Sequence, residues 1–354
     1  MLNKFTPGAI WPDTNGTHIN AHGGGILYHD ETYIWFGEHK TEGRAGNRAM
    51  VGVHCYTSQD LYNWEDKGIA LPVSDDAESD ITRGCVLERP KVIFNAATGK
   101  FVMWFHLELK GQGYTAARSG VAISDTVAGP YTFLGSFRPN AGVWPTNATP
   151  EQMQVPEPGA VQREFIGSYT EEIDQVNILG RDFAGGQMAR DQTLFVDDDG
   201  QAYHLYASEE NSTLQISLLT EDYLAPAGTY VRAFPKRYME APAICKRLDN
   251  YYFIGSDCTG WAPNAARSAV ADSIRGPWTE LGNPCVGEDR DLTFGGQSTY
   301  ILPVAGIDDA YIAMFDLWHP ENAIDGRYLW LPMRFKEGRF ELQNVVEWDL
   351  SVFG

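Results

Sequence analysis

The 354-residue chain reads as an all-β protein, a single five-bladed β-propeller over residues 1–354. Three observations carry that expectation. Five segments share one plan: a polar residue at a strand start, an apolar-rich strand, a tight turn, then an aromatic-rich strand. A further strand pair follows such units, mostly about 50 residues apart, which is the rhythm of four-stranded blades. Helical periodicity is nearly absent.

Taken in order, the first segment is HGGGILYHDETYIWFGEHK from His22 and the second ERPKVIFNAATGKFVMWFHLE from Glu88. The third is RDQTLFVDDDGQAYHLYASEE from Arg190, the fourth EAPAICKRLDNYYFIGSDCTGW from Glu240, and the fifth GGQSTYILPVAGIDDAYIAMFDLW from Gly295. Their turns, among them Asp30-Glu31, Asp198-Asp199-Gly200 and Asp249-Asn250, use residues that tolerate hairpin backbone angles. Stretches such as VGVHCYTSQDLYNWEDKG and RSAVADSIRGPWTELGN supply the outer pairs. One interval is anomalous: Glu88 to Asp191 spans 103 residues, and the excess includes the Pro-rich PTNATPEQMQVPEPG. A long insertion at about 140–181, between blades 2 and 3, is expected, either walling a binding pocket or lying on the surface as a loop.

Composition narrows the partners. Lys plus Arg is 27 against 47 Asp plus Glu, a formal charge of −20. Phosphates are repelled by such a surface, so neither nucleic acid nor an anionic membrane is expected as partner. No apolar run reaches the length of a membrane span. The N-terminal residues carry no signal-like run, so the expected location is cytoplasmic, or secreted or periplasmic if a leader has been removed. The five cysteines include no CxxC pair; isolated buried thiols are expected, with a Cys245–Cys258 bridge left open.

In a propeller the inner strand of each blade lines the axis, so equivalent strand starts converge. Those positions hold His22, Glu88, Asp191, Glu240 and Gln297. Unpaired carboxylates are costly beside apolar strands, which makes a shared site the better explanation of the set. Convergent acids suit glycoside hydrolysis: one protonated carboxyl donates to the leaving oxygen, and another group activates water or attacks the anomeric carbon. Crowding raises the pKa of at least one of them. Tyr114, Trp261, Trp318 and Trp330 lie near blade ends and could stack on sugar rings or pack between blades.

The strings AHGGGILY, ERPKV, RDQTLFVDDDGQAYH, EAPA, CTGW and GGQSTY together resemble glycoside hydrolase family 43, in its branch of exo-β-1,3-galactanases. The resemblance implies a five-bladed propeller that releases galactose, with inversion, from the non-reducing end of β-1,3-galactan. By position, Glu240 in EAPA matches the general acid, and Asp191 the acid that orients and tunes it. The usual first-blade Asp is absent from NAHGGG; Gln297 matches the Gln given the base position in this branch, and Glu88 a further essential glutamate. A neutral amide is a poor base. Either an imidic tautomer accepts the proton, or Gln297 positions water and Glu88 supplies basicity. Tyr114, Asn211, Thr259, Glu38, His22 and Trp261 are expected to contact the sugar.

No cofactor is expected. A structural calcium ion on the axis, touched by His319 or another channel-facing histidine, is the one cation the resemblance leaves open. An α-L-arabinofuranosidase or β-xylosidase on the same fold is the enzymatic alternative, and a non-catalytic sugar-binding propeller the other.

Overall fold

The computed structural model describes residues 1–160 and 176–354. Strands β1 (His22–His29), β2 (Thr32–His39), β3 (Gly52–Ser58) and β4 (Glu65–Pro72) form the first antiparallel sheet. The second holds β5 (Val86–Asn95), β6 (Lys100–Glu108), β7 (Arg118–Ser124) and β8 (Thr132–Phe137). A short helix, α1 (Ile178–Arg181), precedes the third sheet, made of β9 (Gln192–Val196), β10 (Ala202–Ser208), β11 (Thr213–Leu219) and β12 (Pro226–Ala233). In the fourth run β13 (Glu240–Arg247), β14 (Asn250–Ser256), β15 (Arg267–Ala271) and β16 (Thr279–Gly282).

The remaining chain corrects the five-bladed expectation. It forms two further sheets, so that, counted by the sheets of the described residues, the propeller has six blades rather than five. One contains β18 (Gln297–Pro303), β19 (Tyr311–Leu317) and β20 (Arg327–Pro332). The other joins β17 (Cys285–Val286), parallel, to β22 (Arg339–Gln343), which pairs antiparallel with β21 (Arg334–Lys336). Strands of two, three and five residues are too short to show an alternation, which is why the repeat did not reveal this sheet. It sends Cys285, Phe340 and Leu342 into the core shared by β14 and β19.

Around the axis β1, β5, β9, β13 and β18 neighbour one another in turn. The ring is clasped where its ends meet: Phe5 and Trp348 exchange backbone hydrogen bonds of 2.7 and 3.0 Å and stack at 4.3 Å. Trp11, Trp35, Trp64 and Trp330 pack beside them. Trp330 is therefore a closure residue, buried in the core between the first sheet and β18–β20. It takes no part in sugar stacking.

A local device sets up the site. The registers of β1, β5 and β13 slip between His22 and Gly25, Glu88 and Lys91, and Glu240 and Ala243. In each the residue after the polar one has positive φ: Gly23 at 60°, Arg89 at 52° and Ala241 at 53°. A bulge at a strand start re-aims a side chain out of the pleat. In β5 and β13 it turns Glu88 and Glu240 toward one mouth of the axis. Only the glycine adopts that backbone without strain.

The expected insertion at about 140–181 lies partly outside the described residues. Its described flanks are anchored on the third sheet. Asn140 donates to Tyr206 and Ser217 at 2.9 and 2.8 Å, and Thr146 N–H reaches Tyr230 O at 2.8 Å. Cys245 and Cys258 are both free thiols, so the bridge left open does not form.

Candidate active site

Strand starts, with Glu38 and Lys40 at the end of β2 and nearby loop residues, enclose a pocket of about 210 Å³ lined by Glu38, Lys40, Glu88, Arg89, Tyr114, Asp191, Glu240, Gly260, Trp261, Gln297 and Trp318. That is below the roughly 300–1,000 Å³ of drug-sized sites, so it suits one sugar ring rather than a chain.

Glu240 Oε1 accepts the Asn211 Nδ2 at 2.8 Å and faces Cys258 Sγ at 3.2 Å. Burial first, and the negative charge of Asp191 second, raise its carboxyl to about 7, against the Cys258 hydrogen bond and the charges of Arg89 and Arg190. A carboxyl half-protonated at neutral pH is what a general acid requires.

Glu88 is its electrostatic opposite. Burial pushes it up, but the hydrogen bond and charge of His106 outweigh this, with Lys40 and Tyr114 helping, and hold it at about 2. His106 Nδ1 lies 3.0 Å from Glu88 and its Nε2 2.9 Å from the buried Glu108. Burial lowers the imidazole, yet hydrogen bonds to Glu108 and Glu88 prevail and raise it to about 10. Both ring nitrogens therefore carry protons. The Tyr114 hydroxyl donates to the other Glu88 oxygen at 2.7 Å.

Arg89 organises the far side. Its Nε lies 2.8 Å from Asp191 Oδ1, and its Nη2 donates to Gln297 Oε1 at 2.7 Å. Trp318 Nε1 donates to the same Gln297 oxygen at 2.9 Å, while Gln297 Nε2 reaches Ser256 Oγ at 3.0 Å. Guanidinium and indole are donors only, so the atom facing both is the amide oxygen. Asp191 Oδ2 also accepts the Ala241 N–H at 3.0 Å, which ties it to the backbone beside Glu240.

One group of described residues comes close enough together to hold a cation, and its members are already paired. Glu88, His106 and Asp191 bring ligand atoms within 4.8 Å of one another. The two His106 nitrogens face Glu88 and Glu108, and Asp191 is paired with Arg89. His319, expected near an axial ion, is half-exposed and faces Asp325 at 3.4 Å.

Of the residues singled out in the sequence, Glu88, Asp191, Glu240, Gln297, Tyr114, Glu38 and Trp261 line the pocket. Asn211 acts on it through Glu240. His22 does not reach it: fully buried, with its ring kept neutral by desolvation, it stacks on Tyr328 at 5.3 Å and packs under Gly326. Thr259 turns away, donating to Ala262 O at 2.6 Å in its own loop. Residues the sequence reading missed are Arg89, Lys40, His106 and Cys258. Arg89 and Lys40 stand next to or two positions from named acids, in ERPKV and WFGEHK. A basic residue beside a strand-start acid was the available signal. His106 faces Glu88 across the β5–β6 ladder, a pairing visible only once the bulge is known.

The Glycosyl hydrolases family 43 model matches residues 160–301. A β-D-galactofuranosidase of Aspergillus niger is 29% identical over 142 residues, which span 36% of this chain and 41% of that protein. A solved family 43 β-1,3-galactosidase with galactodeoxynojirimycin superposes with a TM-score of 0.92 at 50% identity, covering 98% of this chain and 100% of the other. An exo-β-1,3-galactanase from Phanerochaete chrysosporium, solved with β-1,3-galactotriose, gives 0.78 at 32% identity over 99% of this chain and 68% of its own.

Proposed function

The chain belongs to glycoside hydrolase family 43, and from that premise we propose that it is an exo-acting β-1,3-galactosidase releasing galactose from the non-reducing end of β-1,3-galactan. The observation that carries this reading is the whole-length similarity, at 50% identity, to a β-1,3-galactosidase. The pocket supports it: two carboxyls held at opposite ends of the titration range, about 7 for Glu240 and about 2 for Glu88, in a cavity the size of one ring.

In this mechanism the protonated Glu240 gives its proton to the glycosidic oxygen as the bond to the anomeric carbon breaks. Asp191 raises the affinity of Glu240 for that proton and is itself oriented by Arg89. On the opposite face a water attacks, which inverts the anomeric centre. Glu88 takes the proton from that water. Gln297 orients it: with its carbonyl oxygen occupied by two donors, the amide offers an N–H and no free basic atom. Trp261, half-exposed at the rim and edge-on to Trp318 at 5.8 Å, gives an apolar face for the sugar.

The test is incubation with β-1,3-galactan and identification of the sugars by proton NMR from the first turnover. Galactose alone, appearing as the α anomer, is expected. Release of arabinose or xylose instead would overturn the substrate, and a β-configured first product the inversion. Glu240→Gln and Glu88→Gln should each reduce turnover by roughly 10²–10⁴-fold while galactooligosaccharide binding survives.

A further inference from the structure

Two donors converge on one oxygen of the proposed acid. Glu240 Oε1 accepts the Asn211 amide at 2.8 Å and the Cys258 thiol at 3.2 Å, whereas Oε2 takes no donor among the described residues. A carboxyl oxygen with both lone pairs engaged has no place for its own proton. We propose that Asn211 and Cys258 are positioning residues that assign the catalytic proton of Glu240 to Oε2, the oxygen left to meet the glycosidic bond. The inference rests on the reading of Glu240 as general acid.

The fold invests in holding both donors. Asn211 lies in the turn between β10 and β11, in which Glu209, Glu210 and Asn211 all have positive φ, at 51°, 57° and 65°. Non-glycine residues rarely adopt that backbone, and strain of this kind persists only where surroundings over-determine it. Here they do. Glu209 is forked by Arg232 at 2.7 and 2.6 Å, and Glu210 is held by Arg190 at 3.2 Å and Arg181 at 2.9 Å. Cys258 is fixed in turn by its own N–H, which donates to Asp257 Oδ1 at 2.8 Å, while Asp257 N–H donates to Asn264 at 2.9 Å. Its thiol, raised to about 12 by burial and then by the charge of Glu240, stays protonated and so remains a donor.

Removing either donor should misdirect the proton without emptying the pocket. The discriminating comparison is β-1,3-galactobiose, whose sugar leaving group needs a proton, against dinitrophenyl β-galactoside, whose leaving group does not. For Cys258→Ala and Asn211→Ala, kcat is expected to fall about tenfold or more on the disaccharide and less than twofold on the aryl substrate. Cys258→Ser, which keeps an O–H donor, should recover most of the loss. The alkaline limb of the disaccharide profile should also move upward in Cys258→Ala, because a donor to the ionised form is lost. Asp191, Arg89 and Arg190, the other charges facing Glu240, are unchanged in that variant.

Equal losses on both substrates, or no loss on either, would overturn the proposal. Glu240→Gln separates its failure from that of the underlying reading. If that variant loses only the disaccharide while Cys258→Ala and Asn211→Ala lose neither substrate, the acid stands and the proton assignment falls. If Glu240→Gln does not discriminate the substrates, both fall.

Discussion

Arg89 donates its Nη2 to the Gln297 carbonyl oxygen at 2.7 Å. The same guanidinium lies 2.8 Å from Asp191 through Nε, so one rigid fork spans the proposed tuner of the acid and the proposed holder of the water. Lysine keeps the charge but is a point donor on a flexible stem and cannot hold both partners. Misplacing reacting groups by about 1 Å costs on the order of 10²-fold in rate. Arg89→Lys should therefore lower kcat on β-1,3-galactobiose by about that factor with little change in KM, in steady-state kinetics at neutral pH. A large rise in KM with unchanged kcat would show instead that Arg89 serves binding alone.

The pH profile follows from the two carboxyls. Glu240, raised to about 7, must be protonated, so activity should decline as pH rises through about 7. Glu88, held at about 2, must be ionised, so no acidic limb is expected until the protein nears acid unfolding. His106 sets the second value. Its replacement by Gln removes a positive charge from Glu88, raises that carboxyl, and should bring an acidic limb into the measurable range above pH 4. Stability should change with it. His106 is raised to about 10, so its stabilisation is fully present below about 6.5 and lost as pH climbs through 10. Glu88 is depressed, so its share is present above about 4.5 and lost as pH falls through 2. Between those limits, removing one partner of such a buried pair costs about 3–5 kcal/mol. Urea unfolding of His106→Gln at pH 6 checks the loss, and a profile identical to that of the parent chain would refute the link.

Much of this site was legible because chemistry repeats at equivalent strand starts. Glu88, Asp191, Glu240 and Gln297 could be read as a set since each stands before an apolar run, and the structure brings all of them to one pocket. His22 occupies the same kind of position but does not arrive there. Its bulge places Gly23 beside Glu38, so close that a Cβ on the glycine would clash with the Glu38 carboxylate. Glu38, from the second strand, fills the place the first strand would have taken. Such a substitution depends on backbone geometry that residue spacing does not encode. The sheet count failed for a different reason. Strands such as Cys285–Val286 carry too few residues to display a period, and their partner β22 lies more than fifty residues further on. The charge network around His106 and Arg89 was hidden because each contact crosses between sheets or strands brought together only by folding.

The oxygen of Gln297 decides how that residue can act. It accepts Arg89 at 2.7 Å and Trp318 at 2.9 Å, two partners that can only donate. An imidic tautomer would carry a proton on that oxygen, directed against a guanidinium and an indole N–H. The amide form meets no such conflict, and its remaining N–H can hold a water. Trp318→Phe separates these roles, since it deletes the indole donor while keeping an aromatic ring in the pocket wall. If Gln297 works as an oriented amide, losing one of its two anchors loosens it, and kcat should fall about tenfold with KM nearly constant. If the tautomer were the base, freeing the oxygen would favour the protonated form, and kcat would hold or rise. Steady-state kinetics on β-1,3-galactobiose, with a thermal melt to establish that the variant is folded, distinguishes the two outcomes directly.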